Sequence, residues 1–336
     1  MIKSKKLVTV AALCAFTAAF SFAQEVTFEN KLSTGIVDIT ITDDDSDNEF
    51  AGFENETTAE YSSDNLDMGV TLKFNLAKEE DDAISIGSEE YVDDYFIEFR
   101  PVDVLGIGFH KGYSVAGSYL PCFDGEIEAA NIGSDFGVFI RPIEGLVIAG
   151  GLDFMTYFGR DDVDPIVNAG VEYALGEIVT FGAAVRNIAS DDDRTFGVYA
   201  SYTGIENLTV NAGFTYNGEI EDLFISGNLV SAGLIYNMDP LAFYVDAVIA
   251  VGGDEDVEYD LYTAANVTYQ ITDPFMASLN GSYSNDSDND DAWCIGINPS
   301  VSYDIDDHNT VGAGVFVNIM KDEKTVSFPV KWEYKL

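Results

Sequence analysis

Carboxylates apart, few side chains in this 336-residue chain could do chemistry. There are two histidines, His110 and His308, and three cysteines, Cys14, Cys122 and Cys294. A hydrolytic site needs a histidine held beside a carboxylate and a nucleophile. The two histidines fall at opposite ends of the strand pattern described below, so they share no site. No zinc spacing, phosphate loop or nucleophile motif accompanies them, and an enzyme is not expected. Carboxylates are abundant: 59 acids against 16 bases give a formal net charge of −43. Asp43, Asp45 and Asp47 stand at alternate positions, as do Asp286, Asp288 and Asp290, and alternate carboxylates could ligate Ca²⁺. Both runs lack the glycine and distal glutamate of an EF-hand loop, so a solvated, mutually repelling surface is the favoured reading and a Ca²⁺ site the lesser one. No other cofactor is indicated. So negative a chain excludes nucleic acid as a partner, because phosphate binding needs clustered Lys and Arg.

The composition pulls the other way. The chain is 47% hydrophobic and 13% aromatic, too apolar for a solvated acidic coil. Residues 1–23 read as a signal peptide: Lys3, Lys5 and Lys6 precede an apolar stretch, and Ser21 and Ala23 provide a cleavage site. Losing those three lysines takes the net charge from −43 to −46. The remainder, 24–336, holds no run of about 20 apolar residues that could cross a bilayer as a helix. Its period is two. In residues 66–76, Leu66, Met68, Val70, Leu72, Phe74 and Leu76 share one parity, and Asp67, Gly69, Thr71, Lys73 and Asn75 the other. The same split recurs at 230–238, 261–271 and 293–305. The non-apolar parity is mostly Gly, Ala, Ser, Thr and Asn, where the wet face of a soluble sandwich would carry Lys, Glu and Arg.

Such segments number about 18 (16 is an alternative), each roughly 8–12 residues long. Short turns, such as 143–145, 205–207 and 272–274, alternate with longer acidic connections, such as 78–93, 114–134 and 252–258. Tyr173, Tyr202, Tyr236, Tyr269, Tyr303 and Tyr334 fall on the apolar parity, one per hairpin, as a girdle at a lipid–water interface would. The expected fold is therefore all-β: an antiparallel up-and-down transmembrane barrel with short periplasmic turns and longer acidic extracellular loops. A lipid-facing sheet cannot leave an edge unpaired. At ~4.8 Å between strands and ~40° of tilt, 18 strands close to a cylinder roughly 35 Å across. Small inward glycines such as Gly170, Gly213 and Gly233 would leave that cylinder open, with no separate plug domain.

The last eleven residues, VSFPVKWEYKL, carry Phe328, Trp332, Tyr334 and Leu336 on one apolar parity. This resembles the C-terminal recognition strand that the insertion machinery reads in bacterial outer-membrane barrels, although those usually end in Phe or Trp. With the leader, the whole mature chain resembles the porin-like barrel class, with a suggestion of the spirochaete type. The resemblance implies a cell outer-membrane location, membrane lipids and the insertion machinery as partners, and an arrangement that allows a homo-oligomer. The loop 114–134 is similar in rank and length to the porin loop that folds inward and narrows the channel. It contains Cys122, and an oxidising periplasm could pair Cys122 with the inward Cys294. On the inward parity lie Glu98, Asp153, Glu172 and Asp246, with Arg100, Arg141, Arg186 and Lys331. They could set ion selectivity across the lumen or simply bridge neighbours along the wall, as Glu98 with Arg100. The function expected is passive diffusion of ions and small hydrophilic solutes, with small cations preferred at an acidic mouth. The rival is a surface-exposed adhesin or divalent-cation binder with little conduction. A slot for hydrophobic substrates finds little support in an inward parity so poor in large apolar residues.

Overall fold

The computed structural model describes residues 26–41, 46–49, 53–78, 84–86, 92–123, 125–132, 135–153, 166–190, 194–220, 223, 225–251, 260–285, 293–321 and 324–335. The leader 1–23 lies outside them, and so do Asp43, Asp45, Asp286, Asp288, Asp290 and Leu336. Asp47 sits on the strand Ser46–Glu49, where its side chain is not described.

Eighteen antiparallel strands close into a barrel. Each strand pairs with its sequence neighbours. The first, Val26–Ile41, completes the ring by pairing with Lys324–Ser327 and Val330–Lys335, with Leu32 opposite Tyr334 and Thr40 opposite Ser327. No α-helix occurs among the described residues, and none is long and apolar enough to cross a membrane. The expected short turns are present, for example at Glu206–Asn207 and Asp273–Pro274.

Side-chain exposure follows the two-residue period. Phe99, Phe181, Val198, Val230, Ile249, Leu279 and Val301 are among the large apolar side chains left exposed on the outside. Transfer of such surface to lipid, not to a protein interior, is what this pattern suits. The six tyrosines share one level by register, along the arc of the barrel from residue 146 onward. Tyr173, Tyr202, Tyr236, Tyr269, Tyr303 and Tyr334 pair with Leu146, Val179, Leu208, Leu241, Phe275 and Asn309, each the first residue after a short turn.

Two places depart from the alternation. The strands Val26–Ile41 and Phe53–Ser62 place Asn30, Asn55 and Thr57 on the lipid side, bonded to one another: Asn30 Nδ2 donates to Thr57 Oγ1 at 2.7 Å and Asn55 Nδ2 to Asn30 Oδ1 at 3.3 Å. Mutual bonding lowers the cost of polar groups in hydrocarbon, and it explains why this hairpin reads poorly as a strand pair. The last strand is interrupted at Phe328–Pro329 although its apolar parity runs on. Pro329 has no N–H to donate to the ladder; its carbonyl accepts from Gly314 N at 3.1 Å.

Candidate functional site

The interior of the barrel is the site, and the loop 114–134 decides its shape. It folds as a second, two-stranded sheet, Tyr113–Leu120 paired with Gly125–Ile132. This hairpin lies inside the barrel against the inner faces of Ile166–Leu175, Val179–Arg186, Thr195–Ile205, Leu208–Ile220 and Ile225–Met238. The inward turn expected from its rank and length is thus present.

The hydrophobic core of the molecule is the seam between hairpin and wall. Leu120 and Ile127 pack with Ile220, Ile225, Leu229, Val248 and Ala250. Val115, Ala130 and Ile132 pack with Phe139, Ala149 and Ala184. Here the reading of the inward glycines needs correcting, because they hold a backbone and are not open space. A Cβ on Gly213 would fall 1.0 Å from the Gly117 carbonyl oxygen, and one on Gly233 would fall 2.4 Å from the Tyr119 carbonyl oxygen. Only glycine lets the two sheets approach this closely.

Polar groups fix the hairpin at both ends. Asp246, fully buried, accepts the consecutive backbone N–H groups of Cys122 at 2.7 Å and Phe123 at 3.0 Å. Placed on the inward parity as a selectivity acid, it instead holds the hairpin tip and does not face the free lumen. Asn168, also buried, donates to the Asn131 carbonyl at 3.1 Å and to Asp153 Oδ2 at 2.7 Å, and accepts from Asn187 N at 3.1 Å. Glu172 accepts the hydroxyl of Tyr199. The base of the hairpin is closed by His110 N donating to the Asp135 carbonyl at 3.2 Å.

The expected disulfide is not formed. Cys122 and Cys294 are both free. Cys122 packs against the core beneath the hairpin tip, and Cys294 Sγ donates to Asn318 Oδ1 at 2.8 Å on the neighbouring strand. Burial of apolar side chains, the glycine contacts and Asp246 do the pinning that a disulfide was expected to do.

The lumen charges pair, though with other partners than neighbour bridging suggested. Glu98, buried, takes Arg141 at 2.8 Å, and the pair lies across Gly106, where a side chain would collide with both. Arg100 instead forks onto Asp67, with Nη1 at 2.5 Å and Nη2 at 2.9 Å. Arg186 remains exposed. On the wall that the hairpin leaves uncovered, Lys73 pairs with Glu54 at 3.3 Å, Lys31 with Glu333 at 3.4 Å and Lys335 with Glu333 at 2.9 Å. Register places Glu29, Glu56 and Glu60 on the same inward face, and none of them has an ion-pair partner among the described residues. The sequence could have revealed these three: they share the parity of Lys31 and Glu54, but the polar lipid face of this hairpin hid the alternation.

Among the described residues no group of three acids, histidines or cysteines could hold a metal ion. The outward Phe328, Trp332 and Tyr334 follow the expected parity, and Trp332 Nε1 donates to Asn309 Oδ1 at 3.2 Å.

No protein-family model matches the sequence, and no curated protein matches it. Solved structures do share the fold. OccAB4 of Acinetobacter baumannii superposes with a TM-score of 0.58 at 9% identity, over 94% of this chain and 98% of that one. The outer membrane protein OpdK of Pseudomonas aeruginosa gives 0.58 at 11% identity, over 94% and 99%. A mutant of the Rh. blastica porin gives 0.52 at 9%, over 93% and 100%. The chain has the fold of outer-membrane porins.

Proposed function

We propose that this protein is a pore of the bacterial outer membrane, passing ions and small hydrophilic solutes by diffusion with a preference for cations. One observation carries the reading: the lumen has two unlike halves. The hairpin covers one side with a buried, largely apolar seam. The other side stays polar and solvated; three of its described glutamates, Glu29, Glu56 and Glu60, lack an ion-pair partner among the described residues, against Lys331 alone of its described lysines. In a cleft with low-dielectric walls, unpaired charge of one sign raises the local concentration of the opposite ion. The described acids Asp153 and Glu172 and the bases Arg100, Arg141 and Arg186 then act as wall elements, and Glu29, Glu56 and Glu60 supply the excess. One structural neighbour is named a porin and another an outer membrane protein, which agrees with this reading. On it, the partners are membrane lipids, the barrel insertion machinery, and the permeating cations and solutes.

Planar-bilayer recording of the purified protein across a KCl gradient is the test. Stable channels with a reversal potential on the cation side are expected. Absence of channels would favour the adhesin reading, and an anion-side potential would remove the cation preference.

A further inference from the structure

We propose that the uncovered wall carries a subsite for small polyhydroxylated solutes of monosaccharide size, with Asn298, Ser300, Ser302 and Lys331 as its contacts. The proposal rests on the pore reading only for how a solute gains access. A cavity of about 270 Å³ opens where Phe275–Asn285, Trp293–Asp304 and the last two strands meet. It exists because Gly312 and Gly314 put no side chain on the inward face there. A Cβ on Gly312 would meet nothing nearer than the Val301 carbonyl at 3.7 Å, so the space above it is free.

The lining is unusual for this protein. It includes no carboxylate and no aromatic ring. Lys331 has no ion-pair partner among the described residues, whereas Lys31, Lys73, Arg100, Arg141 and Lys335 all do. Ser278 and Ser300 share a hydrogen bond at 2.6 Å, which leaves each hydroxyl with capacity for another partner. Asn298 lines the cavity, and its Oδ1, sealed from solvent as it stands, has no partner among the described residues, so a turn of the amide toward the cavity would let it accept from a solute hydroxyl. A ligand that satisfies this set must accept from an ammonium and donate to an amide oxygen. A carboxylate accepts but cannot donate. Vicinal hydroxyls do both, and leaving a buried acceptor unpaired is what such a ligand would relieve. The serines add donors and acceptors without selecting a charge.

Glucose is the probe, added during single-channel recording in KCl. Current noise that saturates with glucose concentration is expected. Lys331→Met should weaken the apparent affinity about tenfold, the loss of one hydrogen bond to a charged donor. Gly312→Val, with folding checked by heat-modifiable gel mobility, should abolish saturation by filling the cavity. A channel that conducts KCl but shows no saturating response to glucose overturns the subsite and leaves the pore reading intact. Saturation unchanged in Gly312→Val, or acetate binding as well as glucose, overturns it also. If no KCl current is seen, the pore reading fails. Titration calorimetry of glucose into the detergent-solubilised protein then decides the subsite by itself, heat lost in Gly312→Val supporting it and absence of heat ending it.

Discussion

At the scale of single residues, the interior is held by a few groups whose partners are specific. Asp246 is the clearest. Its one carboxylate oxygen takes two adjacent backbone donors of the hairpin turn. Asp246→Ala leaves both N–H groups buried without partners, a cost of about 1–3 kcal/mol each. Asp246→Asn keeps a carbonyl oxygen in the same place and should lose much less. Cys122 reports on the outcome, because it lies under the same turn. With Cys294 replaced by Ser, a water-soluble maleimide should label Cys122 faster in Asp246→Ala than in Asp246→Asn or the parent; equal rates would show that the turn does not depend on this carboxylate. Glu98 makes a second case. Arg141→Ala strands a buried carboxylate, and removing one member of a buried pair costs roughly 3–5 kcal/mol. Urea unfolding of the barrel in detergent should show that loss, and a larger one than for Arg100→Ala, whose partner Asp67 is less buried. At the membrane's edge, Asp306 caps a short turn. The Asn309 amide, with the His308 N–H, holds its carboxyl below the usual range. A group lowered in this way contributes stability above its unfolded pKa and loses it as pH falls through the folded one.

At the scale of elements, the inner hairpin decides the shape of the lumen, and its docking depends on what is absent from the wall strands. Gly213→Val places a branched side chain where the Gly117 carbonyl lies. The hairpin must lift, and single-channel conductance should rise with more frequent open-state fluctuations. Gly150→Ala is the control, since its nearest neighbour would be the Asn168 carbonyl at 3.9 Å; it should conduct as the parent does. Unchanged conductance in Gly213→Val would mean that the hairpin does not limit the current. The wall itself was legible from the sequence, because a strand that faces lipid on one side must alternate strictly. The tyrosine spacing located the short-turn rim for the same reason. Other features were not legible. Gly213 and Gly233 look like small pore-lining residues until a second backbone is seen above them. Glu98 lies two residues from Arg100, yet each pairs across strands, since neighbours of one parity on a single strand are no closer than residues across the ladder. Cys122 and Cys294 invite pairing by number alone, while the fold gives each a different set of neighbours. The first hairpin obscured Glu29, Glu56 and Glu60 because Asn30, Asn55 and Thr57 break the apolar parity on which alternation is read.

At the scale of the whole molecule, the question is which part of a net charge of −43 reaches a permeating ion. Most of the acids fall in the long loops, and charges exposed to solvent are screened over about 10 Å at 0.1 M salt. Those on the lumen wall face a narrower, lower-dielectric space and are screened less. The two sources therefore separate by ionic strength. Loop charge should favour cations strongly in dilute KCl and fade as salt rises. Wall charge should persist. Changing Glu29, Glu56 and Glu60 together to Gln removes only wall charge, and none of the three has an ion-pair partner among the described residues whose loss would confuse the result. The expected outcome is a reversal potential that moves toward zero at 1 M KCl, where the Debye length is about 3 Å, with a smaller relative change in dilute salt. A triple variant that keeps its full cation preference at high salt would place the selectivity elsewhere than on this wall. A triple variant that matches the parent at every salt concentration, both losing their preference as salt rises, would place it at the mouth, and the polar half of the lumen would then act as a passage without a charge filter.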